Sequence, residues 1–255
     1  MEPTPRGWVE RPLSTASLRP ADPAGAETLE IMQAAPQYNR WQFSRVAPYL
    51  GKRICEVGSG TGNMSALILG RTPELLVLAD TDSYYREALR HQFRDRHEVV
   101  VEELTLPDRA AGARFREYEL DTVVALNVIE HIGDDLEAVR SIAGMLRPGG
   151  RAVILVPALQ GLFGSLDREL GHQRRYTRKS LSRLMQSAGF RVERTFYFNL
   201  VGILGWWVNA RLRKAPRIPL QQLRQFDRLV PVLRVEDRVP LPLGQSVIAI
   251  GAVGD

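Results

Sequence analysis

Residues 53–62 read Arg-Ile-Cys-Glu-Val-Gly-Ser-Gly-Thr-Gly, a short buried-type strand delivered straight into a glycine loop. The loop opens a helical stretch, Asn63–Leu69. A strand, a tight glycine turn and a helix in that order form the first unit of a parallel α/β sheet, because the connection must return the chain to the same sheet edge. The alternation continues. Strand patterns fall at Leu75–Ala79, Glu98–Val101, Thr122–Asn127, Arg151–Val156, Arg191–Phe198 and Ser246–Val253. Helical patterns fall at Ser83 to about Arg94, Asp134–Leu146 and Thr177–Ala188, the last stopped by Gly189. The expected fold is α/β: a doubly wound, mostly parallel, seven-stranded sheet with helices on both faces. Ligands of such sheets bind outside the carboxyl ends of the strands, which singles out the loops to inspect.

The composition permits a sizeable core, with 44% hydrophobic and 25% charged residues among 255. Four histidines and one cysteine exclude zinc ribbons, iron–sulfur clusters and a disulfide framework. The lone Cys55 fits a reducing compartment. The start, Met-Glu-Pro-Thr-Pro-Arg-Gly-Trp, lacks a secretory apolar segment. The longest apolar run, Phe196–Val208, is broken by Asn199 and is too short to span a bilayer. A cytoplasmic protein, soluble or peripheral to a membrane, is expected. The net charge is +5, and only Lys52, Lys179 and Lys214 among the 34 basic residues are lysines. That bias fits genomic base composition or an anionic substrate or surface. The basic residues are spread along the chain, so no nucleic-acid groove is indicated. Residues 1–26, rich in Pro, Ala, Ser and Thr, read as a mobile arm. Residues 27–50 read as helices broken near Pro36, with Tyr38, Trp41, Val46 and Leu50 on an apolar stripe.

Two strand ends carry candidate chemistry. Glu56 stands two residues before Gly58-Ser59-Gly60-Thr61-Gly62, where glycines let backbone approach a ligand closely. The spacing differs from the dinucleotide fingerprint, and an acid beside the loop suits a cationic ligand better than a pyrophosphate. Asp80, at the end of Leu75–Ala79, is placed to accept both hydroxyls of a ribose, whereas Asp82 reads as the cap of the next helix.

With these loops, residues 37–200 resemble the class I S-adenosylmethionine-dependent methyltransferases. Glu56–Gly62 is similar to that family's glycine motif, and Leu76-Val-Leu-Ala-Asp80 to its ribose-binding strand end. Asp121–His131 is similar to its fourth-strand motif, and Leu146–Gly150 to the turn before its fifth strand. A narrower resemblance lies in Leu162–Asp167, Gly171–Thr177 and Asn199–Asn209, to a bacterial subgroup often found near, or fused to, glycosyltransferases. The resemblance implies S-adenosylmethionine as cofactor and a single Rossmann-like methyltransferase domain over residues 27–255, with residues 27–50 as cap helices. It also implies a substrate or oligomer surface in an insertion at about 199–240. By position, Gly58, Ser59 and Gly60 would wrap the methionine part and Glu56 would sit near its ammonium. Asp80 and Thr81 would serve the ribose, Glu103 and Leu104 the adenine, and Asn127 the sulfonium. Tyr38 and Trp41 would cover the cofactor, where an aromatic face also suits a sulfonium.

Methyl transfer to a hydroxyl needs a base; His172, after the fifth strand, and His131, after the fourth, stand on the ligand side. The pair Glu130-His131 resembles relatives whose two glutamates and histidine hold a metal, but Asn127 replaces the first glutamate, so no metal is expected. Arg174, Arg175 and Tyr176 would bind an anionic handle on the acceptor, or else salt-bridge to Asp167 or Glu169. Trp206 sits in an aromatic segment followed by Arg211, Arg213, Lys214 and Arg217, which reads as an acceptor wall, a homodimer interface or a membrane-surface helix. The function expected is methylation of a small-molecule acceptor, apolar with an anionic or polar handle, with oxygen favoured. The rivals are a methyltransferase of macromolecules or lipid-linked saccharides at a membrane surface, and a cofactor-binding protein without transfer activity. No Asn/Asp-Pro-Pro-Tyr signature for exocyclic amines is present.

Overall fold

A computed structural model of the chain describes residues 20, 21, 27, 31–209 and 220–254. The arm expected over residues 1–26, apart from 20 and 21, lies outside the described residues, as do Arg211, Arg213, Lys214 and Arg217. Seven strands form one sheet: β1 Arg53–Val57, β2 Leu75–Asp80, β3 Val99–Glu103, β4 Leu120–Leu126, β5 Leu146–Pro157, β6 Arg191–Phe198 and β7 Ser246–Ala252. Their order is β3-β2-β1-β4-β5-β7-β6. Strands β1 to β5 pair in parallel, while β7 runs antiparallel to both β5 and β6. The chain winds outward from β1 to β3 and then returns to the other side of β1 with β4. The carboxyl ends of β1 and β4 therefore flank the topological switch point.

Strand alternation divides the core into two layers. Cys55, Val77, Val123 and Ile154 point to a face covered by α4 (Ala111–Phe115), α5 (Asp135–Met145) and α7 (Arg178–Ser187). Ile54, Leu76, Val124 and Val153 point to the other face, covered by α1 (Pro36–Val46), α2 (Asn63–Leu69), α3 (Ser83–Gln92) and α9 (Leu220–Leu233). The expected helices on both faces are present. Local chemistry sets their ends: Asp82 caps α3 by accepting from Tyr84 N at 2.9 Å, and Thr177 caps α7 by accepting from Ser180 N at 3.1 Å. Gly189 follows α7 at φ 96°, the left-handed stop.

Helix α4 is not expected from the sequence, β3 and β4 are shifted by one to two residues, and two further stretches differ near the site. Strand β5 starts at Leu146 rather than Arg151, because Leu146 pairs with Leu120 across a register irregularity in β4. The stretch from Leu162 to Tyr176, to which the sequence reading assigns neither helix nor strand, contains the end of a 3-10 turn at Gln160–Leu162 and the short helix α6 (Ser165–Glu169). The Asp167 carboxylate accepts from Gly164 N at 2.9 Å and so closes the first turn of α6. Leu162 and Leu166 then pack with Trp206 of α8 (Gly202–Trp207) as a cluster apart from the main core. Between β6 and β7, α8 and α9 return over the sheet edge. Asp227 of α9 accepts from Tyr38 N at 2.8 Å, and Asp237 accepts from Trp41 Nε1 at 3.1 Å. Among the described residues no helix is long and apolar enough to cross a membrane.

Candidate active site

The loop after β1 is built on three glycines with left-handed backbone, Gly58 at φ 72°, Gly60 at φ 50° and Gly62 at φ 77°. A Cβ on Gly58 would stand 2.6 Å from Val128 Cγ2. Gly58 N donates to Ala79 O at 2.8 Å, which ties the loop to the end of β2. Asp80 completes the tie: Oδ2 accepts from Gly60 N at 2.8 Å and Oδ1 from Asp82 N at 2.9 Å. Each carboxylate oxygen keeps a further lone pair for a ligand. Burial raises the Asp80 pKa, opposed by those two amides. Glu56 lies behind the loop, buried and hydrogen-bonded by Ser65 Oγ. Burial pushes its carboxyl up to about 8.

A cavity of about 560 Å³ opens along the carboxyl ends of β1, β2, β4 and β5. Tyr38, Gly58, Gly60, Asp80, Thr81, Leu104 and Asn127 line it, as do His131, His172, Arg175 and Trp206. Six other residues singled out in the sequence stand outside it. Trp41 is fully buried, its ring 4.6 Å from that of Phe198, and its neighbour Gln42 reaches the cavity instead. Glu56 and Ser59 sit beneath the loop, with Ser59 Oγ donating to Glu56 O at 3.0 Å. Glu103 is the last residue of β3 and pairs with Arg86 at 2.8 Å. Arg174 pairs with Asp135 at 2.7 Å and donates to Gly133 O at 2.7 Å. The Tyr176 hydroxyl donates to Asp135 Oδ2 at 2.8 Å. Arg174 and Tyr176 thus fasten their segment to the start of α5.

The far half of the cavity holds a network that the sequence only partly foreshadows. Asp167 Oδ1 meets His172 Nδ1 at 2.9 Å and accepts from Arg175 Nε at 2.8 Å. Burial works against the Asp167 charge, but His172 and Arg175 outweigh it and hold the carboxyl below its ordinary range. Arg175 also donates from Nη1 to Ala158 O at 2.9 Å and lies 4.6 Å above the Trp206 ring. The rings of His131 and His172 meet edge to face with centroids 4.8 Å apart. The sequence suggests Asp167 as an arginine partner and gives no sign of it as the partner of His172. Gln42, Asn199, Asn209, Gln222 and Phe226 also reach the cavity, and sequence reasoning misses all five. Asn199 carries a visible signal only in three dimensions: it is buried, at φ 63°, and hydrogen-bonds the Tyr38 side chain.

Comparison with known proteins bears on what this arrangement is. A family model described as a methyltransferase domain matches residues 30–195. A Mycolicibacterium smegmatis protein named a probable S-adenosylmethionine-dependent methyltransferase is 30% identical over 153 residues, covering 57% of this chain and 54% of that one. A ubiquinone/menaquinone biosynthesis C-methyltransferase of Vibrio parahaemolyticus is 30% identical over 181 residues, covering 60% of this chain and 68% of that protein. A ubiquinone biosynthesis O-methyltransferase of Thiobacillus denitrificans is 26% identical, covering 49% and 52%. The chain spans about half the length of the first of these relatives. Among solved structures, a chain of the complex between the Haloferax volcanii Trm112 methyltransferase activator and a methyltransferase superposes with a TM-score of 0.59 at 14% identity, covering 94% of this chain and 100% of that one. With the glycine loop, the Asp80 strand end and the switch-point cavity in the same frame, the chain belongs to the class I S-adenosylmethionine-dependent methyltransferase family.

Proposed function

We propose that this chain transfers a methyl group from S-adenosylmethionine to a hydroxyl of a small, largely apolar acceptor. The cofactor supplies an electrophilic methyl on a sulfonium. The residues at the glycine loop fit that ligand. Asp80 keeps lone pairs for the two ribose hydroxyls, and its buried carboxylate is fixed by Gly60 N and Asp82 N. Leu104 and Leu106 offer an apolar berth for a purine. Gly58 leaves the backbone open to the methionine part, and Tyr38 closes the wall above it.

The observation that carries oxygen as the acceptor atom is the contact between Asp167 and His172 at the cavity wall. An imidazole that donates from Nδ1 to a carboxylate presents Nε2 as an acceptor, so it can take the proton of a hydroxyl as the new bond forms. Asp167 is a positioning residue in this scheme. Leu166, Leu170, Trp206, Leu223 and Phe226 form apolar walls around the place where the acceptor would sit. The polar handle is read by Asn209 rather than by the arginines. Arg174 is turned onto Asp135, and the charge of Arg175 is matched by Asp167. Asn209 Oδ1 is buried without a partner, while its amide nitrogen donates to Gly205 O and Gln222 Oε1. A donor group on the acceptor would satisfy it.

The similarity to O- and C-methyltransferases of quinone biosynthesis supports a ring-bearing acceptor. The test is single-turnover methyl transfer to a panel of phenols and matched carbon acceptors at saturating cofactor, for wild type and His172→Ala. Transfer to a phenol that collapses in His172→Ala supports the reading. Wild-type rates in the variant, or transfer to carbon alone, would overturn it. A second reading, in which the acceptor is met at a membrane surface, draws on exposed Leu204, Trp207, Leu229 and Val232 on α8 and α9. Sedimentation with anionic vesicles tests that reading.

A further inference from the structure

We propose that Glu130, His131 and His172 form a binding site for one divalent transition-metal ion of the zinc, iron or manganese type. Each offers a ligand atom, and these atoms all lie within 4.8 Å of one another. Two separate segments bring them together. Glu130 and His131 end the 3-10 turn Ile129–His131 after β4, and His172 follows α6. Backbone bonds hold the segments in register: Gln173 N donates to Glu130 O at 2.7 Å, and His172 N to Asp167 O at 2.8 Å. The sequence expectation of no metal rests on Asn127 standing in place of a first carboxylate. The fold places His172, far along the chain, beside the same turn.

Glu130 is the second, independent sign. Its side chain is fully buried, and neither carboxylate oxygen has a hydrogen-bond partner. An unpaired buried carboxylate is costly unless a cation meets it. The nearby fixed cation, Arg175, already shares a 2.8 Å ion pair with Asp167, and the two cancel. Glu130 is left without a hydrogen-bond or ion-pair partner of its own beside two imidazoles. His172 is prepared in the way metal-bound histidines are: Nδ1 meets the Asp167 carboxylate, which orients the ring and leaves Nε2 for a ligand bond. Two imidazoles with one carboxylate suit zinc, iron(II) or manganese over magnesium or calcium, and leave coordination positions open. His131 and His172 line the cavity, so open positions would face the acceptor.

The use of such an ion rests on the hydroxyl-methylation reading, while its binding does not. Coordination of an acceptor oxygen would lower the pKa of the hydroxyl, with His172 then serving as ligand in place of base.

The experiment is a Co2+ titration of the full chain after chelator treatment and dialysis, followed by visible absorption, with Zn2+ as competitor. The expected result is one saturable Co2+ per chain, displaced by Zn2+. Glu130→Gln and His172→Gln should each weaken binding by roughly tenfold or more, and Asp167→Asn by ~10–100-fold through loss of ring orientation. His97→Ala, at a side chain 99% exposed, should bind as wild type. If Glu130→Gln fails to fold, as judged by circular dichroism, His131→Gln on the exposed ligand replaces it. Absence of saturable Co2+ binding, or binding unchanged in both Glu130→Gln and His131→Gln, overturns the site. Loss of transfer in His172→Ala without Co2+ binding overturns the site and leaves the hydroxyl reading intact. Co2+ binding without transfer to any hydroxyl supports the metal site and removes that reading.

Discussion

One oxygen of Asp167 serves two partners: Oδ1 meets His172 Nδ1 at 2.9 Å and accepts from Arg175 Nε at 2.8 Å. The carboxylate is fully buried, so its charge is balanced by the arginine while its geometry sets the imidazole. The pair joins the stability of the segment after β5 to the chemistry of the cavity.

Removing the imidazole separates these roles. His172→Ala should slow single-turnover transfer to a hydroxyl acceptor by ~10²–10⁴. Cofactor affinity, measured by calorimetry, should stay at the wild-type value, because Asp80 and the glycine loop are untouched. His131→Ala should lose less rate, since it is the His172 ring that Asp167 orients.

Arg175→Lys tests the structural half. A lysine has no planar fork to reach Asp167 and Ala158 O from two separate nitrogens, and cannot lie flat on Trp206. The lysine keeps a positive charge near Asp167, so the loss is that of a hydrogen bond to a charged group, about 1.5–3 kcal/mol. Urea unfolding should report a loss of that order, and an unchanged midpoint would show that the pair carries no stability.

Asp80→Ala should act twice. The substitution removes a charged acceptor from the cavity and releases Gly60 N and Asp82 N. Loss of a hydrogen bond to a charged group costs ~1.5–3 kcal/mol, or about tenfold to a hundredfold in cofactor affinity. A lowered Tm of the ligand-free protein should accompany it, and calorimetry with unchanged affinity would remove Asp80 from the cofactor site.

Gly58→Val should abolish cofactor binding while the protein still folds. The position has φ 72°, and its first side-chain carbon would collide with Val128 at 2.6 Å. Fluorescence titration with the cofactor reads the outcome. Retained affinity would mean that the loop accommodates the change and that close backbone approach is not required.

Glu56 gives the pH dependence. Folding raises its pKa from 4.5 to about 8, because burial disfavours the charge more than Ser65 favours it. The folded state holds this proton more tightly than the unfolded state. Its contribution to stability is therefore complete below about pH 4.5 and is lost as the pH rises through about 8. A tenfold difference in proton affinity between the two states is worth about 1.4 kcal/mol. Urea unfolding of the ligand-free protein between pH 5 and 8 should show stability falling with pH, and Glu56→Gln should lessen that slope, leaving the part due to buried Glu130, which is raised in the same way.

The sheet is legible because buried parallel strands are short apolar runs separated by helices, and β1 and β6 match the sequence boundaries as read. Strand ends that depend on pairing are not: Leu146 belongs to β5 only because Leu120 lies opposite. At the site, residues attached to the glycine loop and to strand ends are readable, since the topology places them whatever their side chains touch. Trp41, Arg174 and Tyr176 are not placed by spacing, because each is claimed by a partner far along the chain: Asp237 for Trp41, and Asp135 for the other two. Asp167 illustrates the same limit. Its distance in sequence from His172 is that of a helix end and a turn, and the sequence of α6 reads as loop.

The bond from Tyr38 N to Asp227, between residues 189 positions apart, and that from Trp41 to Asp237 buckle the beginning of the chain to its last third across one rim of the cavity. Tyr38 and Gln42 on one side of this buckle, and Leu223 and Phe226 on the other, share the same wall. A ligand in the cavity that touches both pairs would therefore bear on one fastened wall, built from two ends of the chain. Loosening either bond should disturb that wall from a distance of many residues in sequence, with no change to any strand end.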